Sequence, residues 1–472
     1  MYYILNPNIA LRSFWRVPFA YYVKHQETPR SLNRDEFEFL LQCDAQHELP
    51  EHELSKSLEE RGFIRPCEKG EYALTDWQQY MICDNRVTPY MNLMITGKCN
   101  YNCLHCFNAA DNAPLNAEWE MGELNRLLDE ARDCGINAVL ITGGEPMVHK
   151  HFMEIVEGIY ERGMFIFELN TNGYYIDQPK LDRFKELGVS PLIKISFDGI
   201  GFHDWMRGRN GAEEDALRAI RLCHENGFRV MAQVNMNRKN ESSILPTIRM
   251  LDEIGIEKTR VLYTTSVPRW EQNAADQTMT FEEYYDACLR IGQEYIKTAR
   301  LMEVDFWQTV IIYPRWKSYG LTPVIMMEGQ YKDTKVRCKG IRGMVAVSAK
   351  GEVYPCMQMS GWMEAKGISF GNVKEQGLRK ILQESRLMTA NCTTVADMGR
   401  ENERCASCKY FPYCGGGCPA LGILHRGYEG EKILGEDKAK CLFFKKGYYR
   451  KFADGMNGYK NLSWSEFLYN SD

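Results

Sequence analysis

Three cysteines lie close together in the segment CNYNCLHC, at Cys99, Cys103 and Cys106. They follow a short apolar run, MNLMIT, which predicts a buried strand. Thiolates are soft ligands that suit iron–sulfur clusters and zinc. A four-iron cluster usually takes four cysteines, so three on one loop leave an iron open to an exchangeable ligand. Because a structural zinc site needs four ligands, often as two C-x2-C pairs, the spacing favours an open iron–sulfur cluster.

Seven further cysteines lie towards the end of the sequence. One precedes the segment GEVYPC, which ends in the next, and CASCKYFPYCGGGC then gives a C-x2-C-x5-C-x3-C run followed by a last cysteine. The seven are Cys338, Cys356, Cys405, Cys408, Cys414, Cys418 and Cys441. This array indicates metal ligation. A zinc ribbon is the alternative, because C-x2-C is also a zinc half-site.

The composition is that of a soluble protein with two or three domains. The chain has 472 residues, of which 44% are hydrophobic and 26% charged. A net charge of −5 argues against a nucleic-acid partner. No apolar run approaches the roughly 20 residues that span a bilayer, and the first residues lack a signal-peptide pattern. We therefore expect a cytoplasmic protein without membrane contact, whose 17 cysteines serve metal or redox chemistry.

The elements that position these cysteines divide the chain into three parts, at residues 1–88, 89–315 and 316–472. The middle part alternates strands and helices, which predicts a parallel α/β sheet. Its strand candidates are MNLMIT, NAVLIT, FIFELN, LIKISF, RVMAQVN and TRVLYT. Six such units are enough for a partial (β/α)6 barrel. In the last part turn residues and cysteines dominate, as in a segment held together by metal ligation.

Polar motifs follow three of these predicted strands directly. NAVLIT runs into GGEP, FIFELN into TNG, and LIKISF into DG. Sites in parallel sheets lie beyond the carboxyl ends of the strands. The cysteine loop and these motifs are therefore expected at one mouth.

The first 88 residues predict a small winged-helix-like unit. YYILNP and FAYYVK are strand candidates, and Asn33 or Asp35 can cap the helix that follows. One or two further helices end at Gly62. A structural cap on the next domain is the alternative interpretation.

The cysteine loop and GGEP together resemble the radical S-adenosylmethionine (SAM) enzymes. The resemblance implies that Cys99, Cys103 and Cys106 hold a [4Fe–4S] cluster whose open iron binds SAM. Cleavage of SAM then gives a 5′-deoxyadenosyl radical that abstracts hydrogen from a C–H bond. The residues implied to bind SAM are Gly143, Gly144, Glu145, Ser196 and Arg207. Asp198 equally suits fixing its own turn, and Asn235 either lines the cavity or satisfies backbone groups.

The seven-cysteine array resembles the SPASM extension of some radical SAM enzymes. The resemblance implies two auxiliary [4Fe–4S] clusters, and so three clusters in all. The first auxiliary set is Cys338, Cys356 and Cys418, and the second auxiliary set is Cys405, Cys408, Cys414 and Cys441. The fourth ligand of the first set is left open between no protein ligand, Cys392 and a substrate group. The other cysteines are expected mostly as buried small hydrophobes: Cys43, Cys67, Cys83, Cys134, Cys223, Cys288 and Cys392.

Three reactions compete within this resemblance. Sulfatase-maturating enzymes typically carry an aspartate after the YPC cysteine, where this chain has Met357. Enzymes of peptide-derived quinone cofactors are a second group. The first 88 residues resemble the precursor-recognition module of ribosomal-peptide maturases, which favours the third: a thioether or carbon–carbon crosslink in a precursor peptide.

In that module the leader peptide adds as a strand to a sheet edge, here expected at ILNP or FAYYVK. An electron donor such as flavodoxin or ferredoxin would supply the reductant. The non-enzyme alternative is an iron–sulfur relay or a zinc scaffold. A relay has no need for GGEP.

Overall fold

A computed structural model describes residues 1–106, 117–322 and 335–462 of the chain. Its first part contains six short strands and two helices. The strands are β1 (Tyr2–Leu5), β2 (Ile9–Phe14), β3 (Val17–Val23), β4 (Arg30–Ser31), β5 (Ile64–Cys67) and β6 (Met81–Ile82), and the helices are α1 (Arg34–Leu40) and α2 (Glu53–Glu60). β1 pairs with β5, while the other four form a sheet in the order β4-β3-β2-β6.

The caps of the first part follow from its sequence. Asn33, not Asp35, caps α1, since its side chain accepts from the Glu36 backbone N–H and Glu36 reaches back in a capping box. α2 ends at Glu60, just before Gly62 with its left-handed φ of 76°. Strand β2 was not predicted, because Arg12 interrupts its apolar pattern. The Arg12 guanidinium is nevertheless buried, because it donates to the carbonyls of Trp77 and Gln79.

The middle part alternates strands and helices, as predicted. Its strands are β7 (Tyr90–Met94), β8 (Ala138–Thr142), β9 (Phe165–Thr171), β10 (Leu192–Ser196), β11 (Arg229–Met236), β12 (Lys258–Tyr263), β13 (Glu303–Phe306) and β14 (Val310–Tyr313), and β15 (Ser318–Leu321) follows just beyond residue 315. Its helices are α3 (Met121–Asp133), α4 (Phe152–Glu161), α5 (Gln178–Glu186), α6 (His203–Arg207), α7 (Ala212–Glu225), α8 (Glu241–Ile254), α9 (Pro268–Ala274) and α10 (Phe281–Tyr295).

The last part is mainly helical. Its strands are β16 (Met344–Val347), β17 (Val353–Tyr354) and β18 (Lys460–Asn461). Its helices are α11 (Lys339–Gly343), α12 (Met357–Ala365), α13 (Val373–Gln376), α14 (Leu378–Gln383), α15 (Ser385–Asn391), α16 (Val395–Glu401), α17 (Glu403–Ala406), α18 (Phe411–Cys414), α19 (Pro419–Arg426), α20 (Lys438–Lys445) and α21 (Tyr448–Gly455).

One twelve-stranded sheet organises the middle and last parts, in the order β17-β16-β7-β8-β9-β10-β11-β12-β13-β14-β15-β18. The eight strands from β16 to β13 in this order are parallel neighbours. The sheet does not close on itself, so the predicted partial barrel is confirmed as an open α/β sheet. Both ends of the sheet are strands of the last part, β17 and β18.

Strand β13 extends the six predicted strands. Its sequence, EVDF, carries two acidic residues and is too short for an apolar pattern. Neighbouring β12 supplies their partners, since Arg260 Nε lies 2.8 Å from an Asp305 carboxylate oxygen and Lys258 pairs with Glu303. Cross-strand pairs of opposite charge stabilise a sheet face.

Within the described residues, every helix is too short or too polar to span a bilayer. The first part packs on the barrel through specific contacts. Tyr22 donates its hydroxyl to the Gly135 carbonyl over 3.0 Å, and the Asn137 amide donates to the Gln26 carbonyl over 2.8 Å. The peptide-recognition candidate is therefore attached to the barrel and not merely tethered to it.

Candidate metal-cluster sites

The cysteine loop, residues 97–106, follows β7 and rests on the end of α6. The Asn102 N–H donates to the Arg207 carbonyl over 3.2 Å, and the Leu104 N–H donates to the Met206 carbonyl over 2.9 Å. These bonds fix the backbone on both sides of Cys103. The three predicted ligands thus share one loop held from outside it.

The GGEP turn, residues 143–146, lies directly against the start of the cysteine loop. The Gly144 N–H donates to the Thr96 carbonyl over 2.7 Å, and the Glu145 N–H donates to the Lys98 carbonyl over 2.9 Å. A Cβ on Gly144 would lie 2.3 Å from the Lys98 carbonyl oxygen, and one on Gly143 would lie 2.6 Å from that of Thr96. Both glycines are therefore required by the close approach of the two segments.

The Glu145 carboxylate is fully buried and joins two of the predicted motifs. It accepts from the Thr171 hydroxyl over 2.9 Å, from the Asn172 N–H over 2.7 Å and from the Met147 N–H over 3.2 Å. Burial raises the pKa of Glu145 to about 7, against the lowering effect of these three donors. Glu145 thereby ties GGEP after β8 to TNG after β9. Its predicted contact with SAM stays a prediction.

Arg207 lies between a carboxylate and a cluster cysteine. Its Nε is 2.7 Å from an Asp198 carboxylate oxygen, and its Nη1 donates to Cys103 Sγ over 3.7 Å. Burial acts to raise the pKa of Asp198, but Arg207 together with His105 and His203 outweighs burial and holds this pKa well below the ordinary value. The sequence predicted Arg207 as a SAM ligand, and the structure adds this contact with the cysteine loop.

Asp198 is also the centre of a hydrogen-bonded network that the sequence did not reveal. Its carboxylate accepts from the Asn235 N–H over 2.8 Å, and Asn240 donates its amide to the Asp198 carbonyl over 2.7 Å. The Asn235 amide lies 3.2 Å from His105 Nε2. Burial lowers the pKa of His105 to about 4, so this imidazole is neutral near pH 7. Asn235 therefore connects the Asp198 network to the cysteine loop.

Ser196 is the last residue of β10 and is half-buried. It pairs in register with Gln233 of β11. On its other side, β10 lies next to β9, the strand that runs into the TNG motif. The structure thus places Ser196 at the same carboxyl edge as the GGEP and TNG motifs. Its predicted role in SAM binding stays a prediction.

The first auxiliary set comes together from three separate segments. Cys338 precedes α11, Cys356 precedes α12 and Cys418 precedes α19. Burial raises the pKa of Cys418 to about 12, and the charges of Asp437, Cys356 and Cys338 add to the rise. Burial also raises the pKa of Cys356 to about 11, with a smaller effect from Cys338. The three thiols are therefore electrostatic neighbours.

The second auxiliary set groups in the same way around α17, α18 and α20. Burial raises the pKa of Cys414 to about 12, and the charges of Cys441, Cys405 and Cys408 add to it. Burial likewise raises the pKa of Cys405 to about 12, with Cys441 as the largest charge acting on it. The thiols of the second auxiliary set are therefore electrostatic neighbours as well.

The donor chemistry of all three groups fits iron–sulfur clusters, since thiolates are the usual cluster ligands. Each thiolate charge raises the pKa of the neighbouring thiols. A bound metal stabilises these thiolate charges, so a coordinating thiol is deprotonated. Among the described residues, no three His, Cys, Asp or Glu side chains are placed to hold a single metal ion. Whether these thiols ligate clusters stays a prediction.

The cysteines outside the three groups mostly behave as expected. Five are buried, and they are Cys43, Cys83, Cys134, Cys223 and Cys288. Cys67 and Cys392 are half-buried. Cys392 ends α15, and its part as a fourth ligand of the first auxiliary set stays a prediction.

Comparison with protein families gives two matches. Residues 93–251 match the Radical SAM superfamily, and residues 338–409 match the SPASM iron–sulfur cluster-binding domain. The first match contains the cysteine loop, GGEP, Ser196 and Arg207. The second begins at Cys338 and ends just after Cys408.

Individual proteins resemble larger shares of the chain. Fe-coproporphyrin III synthase of Methanosarcina barkeri is 26% identical over 70% of this chain and 82% of that protein. PqqA peptide cyclase of Granulibacter bethesdensis is 24% identical over 62% of this chain and 74% of that protein. The crystal structure of Streptococcus suis SuiB bound to precursor peptide SuiA shares the fold with a TM-score of 0.61. It is 14% identical, and the match covers 93% of this chain and 99% of that one.

Proposed function

Because this chain belongs to the radical SAM enzymes and carries a SPASM domain, we propose that it matures a ribosomally made precursor peptide. The product would be a thioether or carbon–carbon crosslink on a residue of that peptide. The residues of the first part would hold the leader, and a one-electron donor such as flavodoxin or ferredoxin would reduce the clusters.

One observation carries this proposal: the fold match to SuiB extends over nearly all of both chains. It therefore includes the first part, which the match to the Radical SAM superfamily leaves out. SuiB was crystallised with its precursor peptide. A shared first part supports a shared class of substrate, although a fold alone does not fix a reaction.

Exposed edges in the first part suit a leader peptide. β1 pairs with β5 on one side, and its other side is bridged by residues 43–45, since the Leu5 N–H donates to the Cys43 carbonyl over 3.1 Å and the Ala45 N–H donates to the Tyr3 carbonyl over 2.8 Å. ILNP therefore keeps no free edge along β1. FAYYVK was wrong as an edge, because β3 lies between β2 and β4. β6 ends the other sheet, and its Ile82 is 73% exposed. Backbone pairing at such an edge gives affinity, while pockets for alternate side chains give specificity.

The chain's residues have separate tasks in the proposed reaction. Cys99, Cys103 and Cys106 would hold the SAM-binding cluster. The residues that would hold SAM are Gly143, Gly144, Glu145, Ser196 and Arg207. When bound, cluster and SAM supply a 5′-deoxyadenosyl radical that removes a hydrogen atom from the substrate. The buried pair of Arg207 and Asp198 orients the cysteine loop through Cys103.

The sulfatase-maturating alternative is less well supported by the residue that follows Cys356. Met357 occupies that position, is 7% exposed and begins α12. A thioether side chain cannot act as a general base. The quinone-cofactor alternative keeps support from the likeness to PqqA peptide cyclase.

A second candidate function is the modification of a tetrapyrrole. Several relatives, including the Fe-coproporphyrin III synthase, are named for haem chemistry and match about 70% of this chain. This candidate gives no task to the exposed edges of the first part. Peptide maturation therefore accounts for more of the chain.

Anaerobic iron–sulfur reconstitution followed by incubation with SAM and a reductant tests both candidates. The substrates are the precursor peptide encoded beside the gene and tetrapyrrole precursors of haem. Mass loss of about two hydrogens from the peptide supports maturation. A changed porphyrin with an unaltered peptide would replace it by the second candidate.

Cys103→Ala provides the residue-level test of the cluster. We expect SAM cleavage to be abolished and cluster iron to fall, because one of three thiolates is lost. Cys223→Ala is the matched control, since Cys223 is buried in α7 away from all three groups. SAM cleavage retained by Cys103→Ala would contradict the ligand assignment.

A further inference from the structure

Arg337 connects three segments that carry auxiliary cysteines. It immediately precedes Cys338, and its backbone N–H donates to the Thr393 carbonyl over 3.0 Å. Its guanidinium Nη2 donates to the Gly416 and Gly435 carbonyls, each over 3.0 Å, and Nη1 donates to the Ile433 carbonyl. The positive charge is therefore fixed by three carbonyl contacts.

The contact with Gly416 places this charge between the two auxiliary sets. Gly416 is the middle residue of CGGGC, which begins at Cys414 of the second set and ends at Cys418 of the first. The Cβ that Gly416 lacks would lie 3.3 Å from Arg337 Nη2. Glycine thus allows the guanidinium to approach the loop that supplies one thiol to each set.

No carboxylate contact balances this cation within the described residues. All side-chain hydrogen bonds of Arg337 go to carbonyl oxygens, and its Nε is shielded from solvent without a partner. The charges that act on it come first from Cys418 and Cys405, then from Asp437 and Cys414. Both oxygens of Asp437 already accept backbone N–H groups, from Cys418 and Lys440. A partly buried cation is stabilised by an anionic partner, and the charges of Cys418 and Cys405 act on Arg337 more strongly than that of Asp437.

We propose that Arg337 is a shared counter-charge for the two auxiliary clusters and raises the reduction potential of both. The proposal rests on the two-cluster assignment above. A thiolate-ligated cluster becomes more negative when it accepts an electron. A fixed positive charge in a region of low dielectric therefore favours its reduced form. Arg337 acts through the clusters and is a positioning residue, not a catalytic one.

The test is a redox titration followed by electron paramagnetic resonance on the full chain. Cys99→Ala, Cys103→Ala and Cys106→Ala together remove the signal of the SAM-binding cluster, so only auxiliary signals remain. Into this background Arg337→Met removes the charge, and Arg337→Lys keeps it. Arg342→Met is the matched control, because Arg342 is exposed to solvent only four residues after Cys338.

We expect Arg337→Met to weaken reduction of both auxiliary clusters about tenfold, a fall of about 59 mV for one electron. Arg337→Lys should shift less, because its ammonium keeps the charge without the planar fork. Arg342→Met should leave both potentials unchanged, since water screens its charge.

The remaining outcomes separate the counter-charge proposal from the two-cluster assignment. Full iron content in Arg337→Met with both potentials unchanged would overturn the counter-charge proposal alone. If Arg337→Met loses auxiliary iron, the Arg337→Lys variant decides whether the positive charge is what matters. Clusters and potentials kept by the lysine support the charge, and clusters lost from both variants overturn it. If the variant that carries only the three cysteine substitutions holds no auxiliary iron, the two-cluster assignment is overturned and this proposal with it.

Discussion

At the scale of single residues, Glu145 has a structural task that its motif does not reveal. GGEP predicts a carboxylate that contacts SAM, and the structure adds that this carboxylate is fully buried and holds the turns after β8 and β9 together. Buried carboxylates without a cationic partner disfavour their charged form. The stability of the whole protein should therefore depend on pH through the ionisation of Glu145.

Glu145→Gln tests this titration. The folded protein binds the Glu145 proton more tightly than the unfolded chain, because burial raises the pKa from 4.5 to about 7. Stability from this group is complete below about pH 4.5 and falls on the order of 1 kcal/mol per pH unit up to about pH 7. Glu145→Gln should remove that fall, measured as melting temperature between about pH 5 and about pH 7.

Glu161→Gln is the control, because Glu161 is exposed at the end of α4. It should keep the wild-type dependence of melting temperature on pH. An unchanged dependence in Glu145→Gln would show that the Glu145 carboxyl ionises without penalty in the fold.

The sequence could predict the cysteines of the site and the polar motifs that follow its strands, but not the contacts between distant segments. The spacing of the cysteines groups them along the chain, so they can be recognised without knowing which distant segments pack together. The contact of Arg207 with Cys103 joins residues 104 positions apart, and that of Arg337 with Gly416 joins residues 79 apart. Such contacts depend on how strands and loops pack, which no local pattern encodes.

At the scale of elements, the close approach of GGEP to the cysteine loop is the tightest constraint on the site. GGEP donates backbone hydrogen bonds to the carbonyls of Thr96 and Lys98, and the close approach leaves no room for a Cβ on Gly144. Any side chain there must displace the backbone immediately before Cys99. Cluster binding and turn packing are thereby linked.

Gly144→Ala should show this linkage. Overpacking against the carbonyls of Gly97 and Lys98 costs about 1–3 kcal/mol, and displacement of the loop should reduce the spectral change that SAM produces in the cluster. Gly122→Ala is the matched control, since a Cβ there meets nothing within 4 Å on α3. It should leave the SAM response unchanged and raise stability by at most about 1 kcal/mol. A full SAM response in Gly144→Ala would contradict the linkage.

The elements themselves were predictable where apolar runs are unbroken. The six predicted barrel strands are present because buried parallel strands are apolar on both faces. β2 and β13 were missed because Arg12, Glu303 and Asp305 break that pattern. Each of these charges finds its partner only in the folded chain.

At the scale of the whole molecule, the SAM-binding loop and the second auxiliary set belong to different regions. The loop is held by α6 and GGEP, whereas the second set is held by α17, α18 and α20. Changes at sites that share no partners usually add independently. Loss of the cluster at one site should therefore leave the spectroscopic signal of the other site measurable.

Cys441→Ala is the corresponding prediction. We expect iron to be lost from the second auxiliary set, because one of its four thiols is removed. The change in electron paramagnetic resonance on adding SAM should persist, measured on anaerobically reconstituted protein. Cys288→Ala, at a buried cysteine of α10, should keep both iron and the SAM response. Disappearance of the SAM response in Cys441→Ala would mean that the two regions fold as one unit.

The strands that finish the sheet have a consequence during synthesis. β7 receives its outer neighbour only when β16 has left the ribosome, and β15 waits for β18 at residues 460–461. The nascent barrel thus carries two unpaired strand edges until β16 is available and one until β18 is available, and such edges invite pairing with other chains. Premature termination before residue 460 would release a chain whose sheet is permanently unfinished at one side.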